Sequence, residues 1–168
     1  VSDIDLCALF ANALDNAIHD VVAEHGSARV GRVVIFWQDE KLFAQLPSGR
    51  RLCYLGPRFV TNRFGNNSVG YLSAGKSGRM AVEETWGGKI TENLCQAIAR
   101  DLLAYAMLNL EAAGYRIVFH VHDEVVLEMP EGEGTLKEAC AIMGQSPDWA
   151  DGLPLRADGY ECDFYRKD

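Results

Sequence analysis

The chain lacks the features that would place it among secreted, membrane or zinc-ribbon proteins. Its five cysteines (Cys7, Cys53, Cys95, Cys140 and Cys162) are odd in number and widely spaced. No Cys-x-x-Cys pair exists, which excludes a zinc ribbon and a dithiol redox motif. Reduced thiols packed as small apolar side chains in an intracellular protein are the expectation. No uninterrupted apolar run approaches the roughly 18 residues of a membrane span, and the start does not resemble a signal peptide. These absences predict a cytoplasmic protein with no membrane partner. Basic residues are scarce, 16 Lys and Arg against 24 Asp and Glu, for a formal charge of −8. The first residue is Val1 rather than Met, which predicts a piece excised from a longer chain.

What remains is ample for folding. With 168 residues, 48% apolar and 24% charged, the chain can bury roughly 70% of its unfolded surface in one core. That apolar content excludes a disordered chain. A single domain, 1–168, is the expectation. Its charge is uneven. Residues 1–27 carry a net of −5, residues 28–90 a net of +6 and residues 91–168 a net of −9. A basic middle within an acidic chain is compatible with a surface that tracks phosphates, and equally with an ordinary solvated sheet face.

Periodicity organises the three blocks. Leu6, Phe10, Leu14, Ala17, Ile18 and Val21 recur at helical spacing, so 1–27 reads as a leading helix stopped by Gly26. Val30–Trp37, Lys41–Leu46 and Arg50–Leu55 are short runs separated by Asp39-Glu40 and Pro47-Ser48-Gly49, which predicts a β-meander with Trp37 in its core. Residues 56–80 are rich in Gly, Asn and Ser and read as an irregular connection with one short strand at Val69–Leu72. From Thr91 to Gly114 a wide apolar stripe predicts a long helix packed broadly on a sheet. Arg116–Met129 is a hairpin by its two β-branched runs, 135–145 is helical, and Leu155–Tyr165 is expected to be a last strand. The fold class is α+β: an antiparallel sheet with long helices packed on one face.

The chemistry concentrates at the hairpin turn His122-Asp123-Glu124. Apolar strands fix such a turn, so adjacent carboxylates project from a rigid backbone. That donor set suits Mg²⁺, which takes oxygen ligands and bridges to phosphates. Taken alone, the triplet reads first as an ordinary polar turn, since exposed hairpin turns favour Asp. His120 reads as a core histidine with a partner.

The surrounding strings are more specific. Thr91-Glu92-Asn93-Leu94-Cys95-Gln96-Ala97-Ile98-Ala99-Arg100-Asp101, then Val121-His122-Asp123-Glu124-Val125-Val126, then Asp158-Gly159-Tyr160-Glu161-Cys162-Asp163-Phe164-Tyr165 follow in that order. This succession resembles the C-terminal end of family A DNA polymerases, closest to the bacteriophage and prophage branch. Gly49-Arg50-Arg51-Leu52 and Trp86-Gly87-Gly88-Lys89 share that likeness, which runs from about residue 30 to the end.

The resemblance implies a palm subdomain and a DNA-directed DNA polymerase of a bacterial or prophage-carrying cell, acting on primer–template DNA and deoxynucleoside triphosphates with a Mg²⁺ pair. Asp123 matches the aspartate of motif C that binds the metals, and Glu124 matches the acidic residue beside it. His122 matches the histidine near the primer 3′ end. Gln96 matches a glutamine reaching the minor-groove side of the primer–template terminus, where acceptors occur on every correct pair. Glu92 stands where the family usually has Asn, so neither it nor Asn93 receives a role. Arg79, Lys89, Arg50, Arg51 and Lys76 are candidate phosphate contacts.

The family's second aspartate, in motif A, has only a poor counterpart at Ser2-Asp3-Ile4-Asp5-Leu6, and the nucleotide-gripping fingers helix has none. The chain alone is therefore expected to be inactive. Two other functions stay open: a non-catalytic module that binds primed DNA, and a small metal-dependent phosphohydrolase using Asp123 and Glu124.

Overall fold

The computed structural model describes residues 5–75 and 78–165. The chain falls into two compact units, the first ending at Ala97 and the second beginning at Ile98.

The first unit opens with helix α1 (Leu6–Glu24). Asp5 caps it, its Oδ1 accepting from the Ala8 amide at 3.0 Å, which satisfies one of the donors that a helix start leaves open. At the other end His25, not Gly26, takes the left-handed conformation (φ 55°), and its amide donates to Val21 O. The His25 ring stacks on Trp37 with centroids 4.0 Å apart. Trp37 is therefore half-buried beneath a helix end rather than in the core. Leu14, Ala17, Ile18, Val21 and Val22 form the buried stripe, whereas Leu6, the expected start of that stripe, is 74% exposed.

A six-stranded antiparallel meander follows, each strand paired with its chain neighbour: β1 (Ser27–Val30), β2 (Val33–Gln38), β3 (Lys41–Gln45), β4 (Arg51–Thr61), β5 (Asn67–Ala74) and β6 (Met80–Thr85). The α+β class and antiparallel sheet match the sequence reading. Residues 56–80 do not, because they are largely strand instead of irregular connection. The small polar residues that suggested a loop have specific tasks in the sheet. Gly70 pairs between β4 and β6, where a Cβ would lie 2.9 Å from Val82 Cγ1 and 3.0 Å from Val60 Cγ1. Gly56 (φ +52°) sits in the bulge between Leu55 and Arg58. Asn62 closes the β4–β5 turn, its Oδ1 accepting from the amides of Phe64 and Asn66 at 2.9 Å each.

Directly paired residues share a face. One face carries Ile35, Ala44, Leu42, Tyr54 and Val69, all buried, together with Val33. The helical contacts land on this face. Phe59 lies against His19 of α1, and Tyr54 accepts from Asn93.

Asn93 belongs to helix α2 (Gly87–Ala112), which starts four residues before the expected Thr91. Two glycines in a first turn are poor helix formers, and tertiary contact explains them. The Gly87 amide donates to Asp15 Oδ1 of α1 at 2.8 Å, so α1 supplies the anionic cap. A Cβ on Gly87 would stand 1.8 Å from the Ala11 carbonyl oxygen, so only glycine permits this approach.

The second unit holds the rest of α2, which ends in a Schellman motif. Gly114 (φ +88°) donates to Glu111 O and Tyr115 to Leu110 O. Strands β7 (Arg116–Val121) and β8 (Glu124–Glu128) form a separate two-stranded sheet, followed by α3 (Leu136–Met143). Leu110, Tyr115 and Ala139 make the small core with Ile117, Val125, Leu127 and Ile142 around them. The Tyr115 hydroxyl donates to Glu138 Oε2 at 2.9 Å and accepts from the Thr135 amide, while Thr135 Oγ1 caps α3.

The expected strand at Leu155–Tyr165 is absent. Those residues join no ladder, and Tyr160, Phe164 and Tyr165 are exposed. Acids and Gly159 interrupt the segment, and Asp158 turns back on the Gly159 amide, so no face of it can be buried along its length. Four of the five cysteines are exposed and Cys140 is half-buried, against the expectation that they pack as apolar residues. Among the described residues no helix is long and apolar enough to cross a membrane.

The helix start supports a paired test. Gly87→Ala is expected to destabilise the fold by at least about 2 kcal/mol, because the obstruction is backbone that cannot yield. Gly88→Ala, whose Cβ meets only the exposed Trp86 side chain, is expected to be neutral or to stabilise by up to about 1 kcal/mol through helix propensity. Urea unfolding midpoints measure both.

Candidate functional site

The hairpin in the second unit is built as its sequence implies. Val121 pairs with Glu124, leaving His122 and Asp123 as a two-residue turn. His122 has φ 54°, and Asp123 does not share the positive sign. A non-glycine residue there is uncommon, and histidine is among those that adopt it most readily. A bulge at Val118, between the paired Ile117 and Phe119, twists β7.

His122, Asp123 and Glu124 are all exposed. The turn therefore presents a ring and two carboxylates to solvent on a strand-fixed backbone. Among the described residues no grouping of three or more His, Cys, Asp or Glu side chains could hold a metal ion. Asp123 and Glu124 supply a hard oxygen donor set that fits part of a Mg²⁺ shell. His120, read from sequence as a core histidine, is exposed opposite Val125. Val118 and Phe119 beside it are exposed as well, so this end of β7 has no buried face to receive the ring. A groove of about 620 Å³ in this unit, lined by Arg100, Met107, Leu108, Glu111 and Arg116, does not include the turn.

The other candidate residues belong to the first unit. Gln96 is exposed on α2, its Nε2 donating to Glu92 Oε1 at 3.3 Å. Arg79 is exposed just before β6. Arg50 Nη2 donates to the Ala97 carbonyl at 2.7 Å, which ties the β3–β4 turn to α2. The Arg51 guanidinium stands 5.1 Å from the centroid of the Phe36 ring. Lys89 is ion-paired with Glu83. Arg50 and Lys89 are thus already engaged within the protein. Lys76, and Ser2 to Ile4 of the motif A candidate, lie outside the described residues. Asp5 of that candidate is a helix cap.

Sequence reasoning overlooked Arg29, Lys41 and Arg58, which share the face of Arg51 through the sheet register. The two-residue alternation of the strands was the available signal.

No family model matches the chain, and no solved structure matches it. It is 50% identical over 128 residues to the DNA polymerase of Bacillus phage SP02. That alignment covers 76% of this chain and 20% of the polymerase, so the chain spans about one fifth of its relative's length. The identity supports the resemblance at the level of a phage DNA polymerase.

The Lys89–Glu83 pair has a defined pH signature. Lys89 holds the Glu83 carboxyl below its ordinary value by hydrogen bonding, and Glu83 in turn raises Lys89. The Glu83 contribution is present above about pH 4.3 and is lost as pH falls through its lowered value; the Lys89 contribution is present below about pH 10.4 and is lost as pH rises through its raised one. Because the Glu83 side chain is 40% exposed, solvent screening limits the pair to less than about 1 kcal/mol. Glu83→Gln is expected to lower stability by that amount at pH 7 and by less at pH 3, because the Glu83 contribution fades as pH falls through its lowered value. Chemical denaturation at both pH values, with and without high salt, measures it.

Proposed function

We propose that this chain is the C-terminal palm portion of a family A DNA polymerase of the phage or prophage branch, and that His122, Asp123 and Glu124 form its motif C turn. The observation that carries the reading is the strand-pinned turn with two solvent-facing carboxylates, in a chain 50% identical over 128 residues to a phage DNA polymerase. The activity belongs to the whole parent protein: template-directed nucleotidyl transfer onto a primer from deoxynucleoside triphosphates.

In this reading Asp123 is the principal metal ligand, with Glu124 beside it, and the remaining ligands come from outside this sequence. Mg²⁺ bound there would lower the pKa of the primer 3′-hydroxyl and neutralise charge on the triphosphate. The chain's own part is positional. The β7–β8 ladder fixes where the carboxylates stand, and the two-residue turn leaves them exposed to solvent. His122 occupies the adjoining turn position, where its ring nitrogens can reach a primer-end oxygen. Gln96 presents an amide suited to minor-groove acceptors, once it exchanges its partner Glu92 for a base.

Asp123→Ala in the full-length parent is expected to abolish primer extension while changing stability by no more than about 0.5 kcal/mol, the usual range for an exposed position. Retained extension overturns the role of Asp123, and a cooperative loss of folding by circular dichroism shows the turn to be structural. The isolated 168-residue chain is expected to give no primer extension, since a two-metal centre needs acids that this sequence does not supply. A gel assay with Mg²⁺ or Mn²⁺ that shows templated products would overturn the proposal that the centre is divided.

A further inference from the structure

The strand register divides the first unit's sheet into two chemically distinct faces, and only one of them lies beneath the helices. The opposite face is built from aligned rows. Arg29, Val34, Gln45 and Arg51 form one row across β1–β4, and Ser27, Phe36, Phe43 and Cys53 form the next. Gln38, Lys41, Leu55, Leu72 and Val82 form a third, and Arg58, Gly70 and Glu84 a fourth.

Phe36 and Phe43 are a stacked cross-strand pair, centroids 5.3 Å apart and planes inclined by 16°. They lie between the Arg29/Arg51 row and the Lys41 row, about 7 Å from each along the strands. Arg29 and Arg51 stand three strand spacings apart, roughly 14 Å. The strand positions of this face thus carry Arg29, Lys41, Arg51 and Arg58 against one acid, Glu84, with Asp39 of the β2–β3 turn beside Gln38 at its edge, in a protein whose net charge is −8. Arg29, Lys41 and Arg58 form no ion pair among the described residues. The helix contacts of this unit fall on the other face, through Tyr54, Phe59 and Glu83.

We propose that this outer face, over β1–β4, binds single-stranded nucleic acid. Two near-parallel, half-buried rings on a sheet face that the helices leave uncovered offer stacking surfaces to unpaired bases, and flanking cations at separations of several ångströms suit a phosphate backbone. Arg51, already over Phe36, extends the stacking surface, because a guanidinium plane stacks on rings and bases alike. A duplex, whose bases are stacked internally, could use only the cations. Charge complementarity selects this occupant over a protein partner: the basic residues cluster around the aromatic pair, whereas the exposed apolar residues Leu55, Met80 and Val82 lie toward β4–β6. The inference goes beyond the polymerase reading and does not rest on it.

The test uses the full 168-residue chain and a labelled mixed-sequence DNA single strand of about 20 nucleotides, followed by fluorescence anisotropy at low salt. Wild type is expected to bind, with affinity falling as salt rises. Phe43→Leu, which keeps an apolar side chain and removes the stacking ring, is expected to weaken binding about fivefold or more at an unchanged urea midpoint. The double variant R29Q/K41Q is expected to weaken it and to lower the slope of log K against log salt by about one for each phosphate no longer neutralised. Lys137→Gln, an exposed position in the second unit, is expected to bind as wild type. Absence of binding at low salt overturns the proposal, as does undiminished binding by the sheet variants. So does equal competition by a blunt duplex of the same length. Sedimentation showing a dimer whose formation Phe43→Leu disrupts, without effect on DNA binding, would assign the face to a second copy and likewise overturn it.

Discussion

Much of the first unit depends on the register of one antiparallel meander. Side chains alternate across a sheet with a period of two, so a slip of one residue would exchange Ile35 and Ala44 for Phe36 and Phe43 on the buried face. The buried set is compact and aliphatic, matching the Leu14, Ile18 and Val21 stripe of α1. The outward set is bulkier and interrupted by cations. Burying Arg29 or Arg51 unpaired would cost far more than any packing gain, which fixes the register as firmly as the core does. The irregular positions serve the same end. Gly56 absorbs the bulge in β4, and Gly70 makes room for Val60 and Val82.

The second constraint is the approach of α2 to α1. A helix that begins Gly-Gly has little tendency to form there by itself. Asp15 and the Ala11 carbonyl supply what local sequence does not: an anion at the amide end and a surface that admits no side chain. Once that end is held, Ile90, Leu94 and Ala97 are buried, and Asn93 reaches the buried Tyr54 hydroxyl. Burial raises the Tyr54 pKa against the opposing effect of the Asn93 hydrogen bond. Arg50 then ties the meander to the Ala97 carbonyl on the same helix.

These interactions explain which parts of the molecule were legible in sequence. Helical periodicity located α1 and α3, and run length located β2 and β3, because those signals are local. The hairpin was legible for the same reason: two β-branched runs around His122-Asp123 leave few alternatives. The stretch 56–80 was not, since glycine, asparagine and serine indicate a loop unless the strands beside them are known. At the C-terminal end, aromatic residues at Tyr160, Phe164 and Tyr165 suggested a strand, but alternation gives one only where a ladder and a buried face are available. For the candidate site, sequence located the exposed turn but could not distinguish free cations from engaged ones. Lys89 beside Glu83 and Arg50 on Ala97 are facts of the folded chain. The face shared by Arg29, Lys41, Arg51 and Arg58 follows only once the register is known.

The distribution of charge links the two proposed surfaces. Residues 1–97 balance to zero, and the whole excess of −8 lies in residues 98–168. Within the first unit the neutrality is itself uneven, with a net +3 among the charged side chains of the outer sheet face. A polyanion is therefore attracted to one face of one unit and repelled by the average field of the other. The exposed turn of Asp123 and Glu124 belongs to that acidic unit, whose field favours cations over anions. Screening over about 8 Å at physiological ionic strength weakens each effect with distance, so charges in direct contact with a ligand count for more than the net charge of the unit that carries them.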